Sequence, residues 1–90
     1  MPDSPTRSRR RSLGEAISKA RNAVSTSDLS RPDQQRLLVQ LVILERISHI
    51  ALPDWSHIHS LVTMLDFRFR DRGQAATEPL RAWALENKVQ

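Results

Sequence analysis

Residues 30–52 read SRPDQQRLLVQLVILERISHIAL, and this stretch decides the fold. Ser30 is a cap residue, Pro32 stands in the first turn and Asp33 follows three residues after the cap; together they form a helix start signal. At 100° per residue, Leu37, Leu41, Leu44 and Ile47 cover one side of that helix. Leu38, Val42 and Ile50 extend around another side, and Val39 and Ile43 close much of the remainder. The spacing predicts a helix over 31–51. No wide polar face survives, so this helix is expected to be central and buried nearly all round. Its β-branched residues are strand-like, but its length and cap favour a helix.

The same grammar recurs on both sides. Pro53 breaks the segment and Asp54 can cap a helix over 55–72, in which Trp55, Ile58, Leu61, Val62, Leu65 and Phe69 form one stripe. Gly73 is expected to stop it behind Arg68, Arg70 and Arg72, whose charges suit a helix C-terminus. Thr77-Glu78-Pro79 then signals a short helix over 78–87. Upstream, Ser12-Leu13-Gly14-Glu15 has the capping-box pattern and predicts a helix over 13–24 with Leu13, Ile17, Ala20 and Val24 on one stripe. Residues 1–11 are Pro, Ser and Arg without apolar periodicity, and are expected to be disordered. The predicted fold is all-α: a small bundle of three main helices plus a short C-terminal helix over 12–90, behind a disordered basic tail.

Ninety residues allow one domain with a thin core. There is no cysteine, so neither a disulfide framework nor a cysteine zinc site can staple it. The net charge is +4, of which residues 1–12, with four arginines and one aspartate, carry +3. The first residues lack the apolar stretch of a secretory signal. Leu37–Leu52 is interrupted by Gln40, Glu45, Arg46, Ser48 and His49, and is shorter than the ~20 apolar residues a bilayer span needs. A soluble, intracellular protein is expected, with the Arg-rich tail a nuclear address if the cell has a nucleus.

The residue types needed for catalysis are not arranged for it. His57 and His59 point about 200° apart on a helix, and the helical metal motif uses i and i+4. Gly14 and Gly73 are the only glycines, so no glycine-rich phosphate loop exists, and no serine stands in a G-x-S-x-G elbow. Asp54 and His57 read as a cap and its neighbour. The expectation is a non-enzyme with no cofactor, no metal and no small-molecule substrate.

Two features point to binding. Arg7, Arg9, Arg10 and Arg11, with Arg68 and Arg72 four residues apart on one helix side, are candidates for phosphate, nucleic-acid or import-receptor contact. Ser12, behind three arginines, resembles a basophilic kinase site, and a phosphate there would meet the positive end of the first helix. The second feature is surplus apolar surface, because three short helices cannot obviously cover the 31–51 helix. Leu38, Val42, Met64 and Phe67 are the candidate interface with a protein partner or a second copy. The sequence therefore reads as a small regulatory or adaptor protein acting through its helical apolar surface, of a composition found in small viral accessory proteins. The alternative is a nucleic-acid-binding protein using the Arg tail with Arg68 and Arg72.

Overall fold

A computed structural model describes residues 5–88, with side chains from Arg7 onward, and is all-α. Helix α1 spans Pro5–Val24, α2 spans Arg31–Ser48 and α3 spans Trp55–Glu86. Two expected starts are present with their caps. The Ser30 side chain accepts from the Asp33 amide at 3.4 Å, and Asp54 Oδ1 accepts from the His57 amide at 3.1 Å. Each satisfies one amide that the first helical turn leaves without a partner.

α3 does not run straight. Gly73, at φ −111° and ψ 27°, leaves the helical region. A straight helix would place Trp55 and Trp83 about 42 Å apart at 1.5 Å per residue, yet their ring centroids are 6.4 Å apart. His59 Nε2 lies 2.8 Å from the Ala84 carbonyl oxygen. The chain therefore reverses at Gly73 into two antiparallel limbs, 55–72 and 74–86. α1 lies against the second limb, where Trp83 Nε1 donates to Ser12 Oγ at 2.9 Å. α2 runs back along α1 so that its end meets Arg10 near the start of α1. The Arg10 Nε donates to the Ser48 carbonyl at 2.7 Å, and Arg21 also pairs with Glu45 at 3.1 Å. The core between them is built from Leu13, Ile17, Leu37, Leu41, Leu44, Ile58, Val62, Leu65 and Leu80, all at most 1% exposed. Each such side chain contributes roughly 1.5–3 kcal/mol on burial.

Several expectations are corrected. The tail is not disordered across 1–11: residues 5–11 are the first turns of α1, while residues 1–4 lie outside the described set. Ser12 is therefore inside α1 rather than its cap, and its hydroxyl donates to the Arg9 carbonyl at 3.1 Å. α2 ends at Ser48, with His49 turning back to the Arg46 carbonyl. Nor is α2 the central, all-buried element. The most extensive packing is between α1 and α3, and Val39, Val42 and Ile43 on the outer side of α2 are exposed. The chain continues helically on both sides of Gly73, so no separate short helix starts near residue 78. Thr77, expected near that start, is fully buried, and Pro79 sits within α3.

Gly73 serves a close approach and not a left-handed turn. A Cβ on it would lie 2.9 Å from Leu29 Cδ1 and 3.1 Å from Leu29 Cγ, and Leu29 is itself buried in the core. The Asp28 amide donates to the Arg72 carbonyl at 3.0 Å beside it. Gly14, in α1, has open space around its Cβ direction. We expect Gly73→Ala to lower stability by about 1–3 kcal/mol through overpacking. Gly14→Ala should instead raise it by up to about 1 kcal/mol through helix propensity. Thermal denaturation of the two variants checks the opposite signs.

Candidate functional site: the α2–α3 groove and its charged surroundings

The arginines marked by the sequence are not one surface. Arg10 belongs to the bundle: its Nε donates to the Ser48 carbonyl at 2.7 Å and its guanidinium NH2 group to the Ile50 carbonyl at 3.2 Å. It thus caps the end of α2, where carbonyls lack helical partners and the helix dipole favours a cation. Arg9 is half-buried, while Arg7 and Arg11 are exposed. Arg68 and Arg72 lie at the other end of α2, in a cleft of about 290 Å³ shared with Leu29, Phe69, Asp33 and Asp71. Arg68 also reaches Val39 and Gln40 in the middle of α2, while Arg10 is at its end, so the two groups are about 13 Å or more apart along the helix at 1.5 Å per residue. The two acids balance the two arginines in that cleft, and the Arg68 guanidinium also stands 5.4 Å over the Phe69 ring. Ser12 is half-buried, its oxygen engaged by Trp83.

The candidate apolar residues divide as well. Leu38 packs against the core. Val42 is 42% exposed, Met64 50% and Phe67 80%. Between α2 and the first limb of α3 runs a groove of about 400 Å³, lined by Gln35, Arg36, Val39, Gln40 and Arg68. Because α2 and this limb are antiparallel, Val39 and Gln40 opposite Arg68 set the register. One turn further along, Ile43 comes opposite Met64. At 100° per residue, Ile43 lies on the side of α2 nearest α3 and Leu38 on the side nearest α1. Val39 thus lines the groove itself, Ile43 and Met64 are exposed one turn beyond it, and Phe67 stands on the outer face of the limb, opposite its buried stripe. Val39 and Ile43 had been read only as filling the circumference of a buried helix. Their role depends on which side α3 covers, which periodicity alone does not state.

A second charged constellation lies on the opposite side of the same limb. Asp66 is 3% exposed. Arg70 donates to its Oδ2 at 2.6 Å, and Arg81 Nε, across the chain reversal, stands 3.7 Å from Oδ1. The Arg70 guanidinium is held above its ordinary value, first by the hydrogen bond to Asp66 and then by that carboxylate's charge. The i,i+4 spacing of Asp66 and Arg70 is legible in sequence; the approach of Arg81 is not.

Among the described residues, no group of three His, Cys, Asp or Glu side chains is placed to hold a metal ion. None of the helices described is long and apolar enough to cross a membrane. Comparison with protein-family models, curated proteins and solved structures finds no significant match to this chain.

The Arg10 geometry has a direct consequence. Arg10→Ala should cost about 1–2 kcal/mol, the scale of hydrogen bonds from a charged donor at a partly exposed site. It should also speed amide exchange in the last turn of α2. Lys19→Ala, at an exposed position of the same helix, serves as the comparison in the same exchange measurement.

Proposed function

We propose that the protein is a non-enzymatic adaptor whose α2–α3 groove receives an amphipathic helix of a partner protein. The observation that carries this reading is that Val39, in the groove lining, and Ile43, Met64 and Phe67 on the same two helices are exposed by between 41% and 80%. Apolar residues presented at helical spacing along a groove suit a partner helix with anchors at i, i+3, i+4 and i+7. Contiguous exposed apolar surface of this kind marks an interaction site.

Charge selects the partner. The groove lining contains Arg36 and Arg68 and no acid. Arg36 pairs with Asp33 at 3.0 Å just outside it, so the excess positive charge in the groove is partial, and it favours a helix carrying Asp or Glu beside its apolar stripe. A second copy of this chain would bring the same two arginines to the same place, which disfavours self-association. Phosphate contact by the N-terminal arginines together with Arg68 and Arg72 is the weaker reading. Those groups stand at separate places along α2, Arg10 is occupied with the Ser48 and Ile50 carbonyls, and Arg68 and Arg72 share their cleft with two acids.

Two synthetic helices with the same leucine stripe, one flanked by glutamates and one by lysines, provide the test by fluorescence anisotropy. The acidic peptide should bind at least tenfold tighter. Phe67→Ser and Val39→Ser should each weaken it about tenfold, equivalent to ~1.4 kcal/mol, with an unchanged helical circular-dichroism spectrum. Equal binding of both peptides, insensitivity to both substitutions, or a stable homodimer by light scattering would overturn the reading. So would tighter binding to duplex DNA that weakens steeply with salt.

A further inference from the structure

The connection between α2 and α3 is apolar where helix connections are ordinarily polar. It reads His49-Ile50-Ala51-Leu52-Pro53. Ile50 is 51% exposed and Leu52 90%, the greatest exposure of a large apolar residue among the described residues. The connection at the other end of the bundle does the opposite. Its apolar residue, Leu29, is turned into the core against Gly73, between Ser27-Asp28 and Ser30. Ile50 and Leu52 therefore contribute little to the core, and the basic segment is fixed beside them. Arg10 donates to the Ser48 and Ile50 carbonyls at 2.7 and 3.2 Å, which ties the start of α1 to the connection itself. Arg7 and Arg11 lie about 60° and about 100° to either side of Arg10 on α1, and both are exposed. Arg46, in the last turn of α2, is exposed as well. Of the acids at this end, Glu45 pairs with Arg21, Asp54 caps α3 and Glu86 is offset by Lys88 two residues on. An exposed apolar pair rimmed by arginines thus forms one end of a bundle that measures 44 × 21 × 20 Å.

We propose that this tip attaches the protein to the surface of an anionic phospholipid bilayer. Ile50 and Leu52 enter the boundary between headgroups and acyl chains, and Arg7, Arg11 and Arg46 meet the lipid phosphates. An apolar insertion and a basic patch are each weak anchors alone and combine into a stable one. Arginine suits the second part because its planar fork engages phosphate oxygens in pairs. Arg10 is a positioning residue: its two hydrogen bonds hold the connection against the start of α1, so that insertion and charge act at one place. The apolar pair separates this surface from a nucleic-acid contact. Aliphatic side chains gain nothing from a phosphate backbone, and neither 7–12 nor 49–53 contains an aromatic residue on which a base could stack. Docking by the end of the bundle leaves the groove midway along α2 open to a partner helix. The inference extends the adaptor reading and does not depend on it.

Vesicle flotation of the full chain tests the assignment. Vesicles of phosphatidylcholine with about one-third phosphatidylserine should bind the protein at least about tenfold better than phosphatidylcholine alone. Raising the salt from about 0.1 M to about 0.5 M should release most of it. Leu52→Ser and Ile50→Ser should each lower binding about tenfold. Arg7→Gln combined with Arg11→Gln should lower it about 25-fold, at about fivefold for each charge near the surface. Lys19→Gln, further along α1 and exposed, should leave it unchanged. Circular dichroism checks that each variant keeps its helices. If the double arginine variant does not fold, the two serine variants, at exposed positions, still decide. Equal binding to neutral vesicles, or wild-type binding by both serine variants, would overturn the proposal. So would tighter binding to duplex DNA that Leu52→Ser leaves intact, which assigns the arginines to nucleic acid. A dimer in light scattering that Leu52→Ser dissolves would give the apolar pair to a second copy and overturn it equally.

Discussion

The contact of Leu29 with Gly73 is the constraint on which the other packing depends. Leu29 fills the space where any other residue would carry its Cβ, and the neighbouring Asp28 amide donates to the Arg72 carbonyl. The α1–α2 connection is thereby clamped onto the elbow of α3. The reversal at that elbow brings Trp83 to Trp55 and His59 and places Arg81 beside Asp66. It also turns the second limb towards α1, where the most extensive packing of the molecule occurs. Without the reversal, the apolar residues Leu80, Trp83 and Ala84 would have no partner. A 90-residue chain has little other surface to bury, so one close approach governs much of its core.

The far end of the bundle is tied by a different kind of interaction. The arginines at the start of α1 face their own helix's positive end, an unfavourable place for cations. The antiparallel neighbour changes the sign of that field, because α2 finishes beside them with unbonded carbonyls. Arg10 donates to one of these, at Ser48, and to the Ile50 carbonyl just beyond the helix. The helix therefore extends through a segment with no apolar stripe of its own. Arginine's good helix propensity assists, and the Trp83–Ser12 hydrogen bond fixes α1 to the second limb of α3 nearby. The basic segment is thus in part a structural element, which leaves fewer of its charges for an outside ligand.

These two ends show what was legible in the sequence. The caps at Ser30 and Asp54, the core positions Leu37, Leu41 and Leu44 and the stripe of Trp55, Ile58, Val62, Leu65 and Phe69 follow from local periodicity, and the structure contains them. The pattern at Ser12 to Glu15 satisfies the same local rule, yet the helix runs through it, because contacts between α1, α2 and α3 outweigh a cap worth about 1 kcal/mol. Thr77-Glu78-Pro79 fails for a related reason: Thr77 is inside the core. The apolar circumference of α2 was misread as evidence of complete burial. How much of a helix is covered depends on its neighbours' number and placement, and no periodicity within the helix contains that information. Half of the candidate interface, Met64 and Phe67, was visible as apolar residues off the stripe. The opposing residues Val39 and Ile43 needed the antiparallel register of α2 with α3.

Asp66 holds a charge inside the bundle at a cost. Removing a carboxylate from water costs several kcal/mol, and an apolar residue of similar size often does as well or better at a buried position. Here one oxygen is bonded to Arg70 and the other is left without a hydrogen bond. Arg81 is near enough to lower the electrostatic cost of the buried charge but does not complete the hydrogen bonding. That second oxygen has almost no accessible surface, so the charge of Arg81 is what offsets its burial. Because Arg70 stands on the first limb and Arg81 on the second, the carboxylate is the point at which charge ties the two limbs of α3 together across the elbow at Gly73.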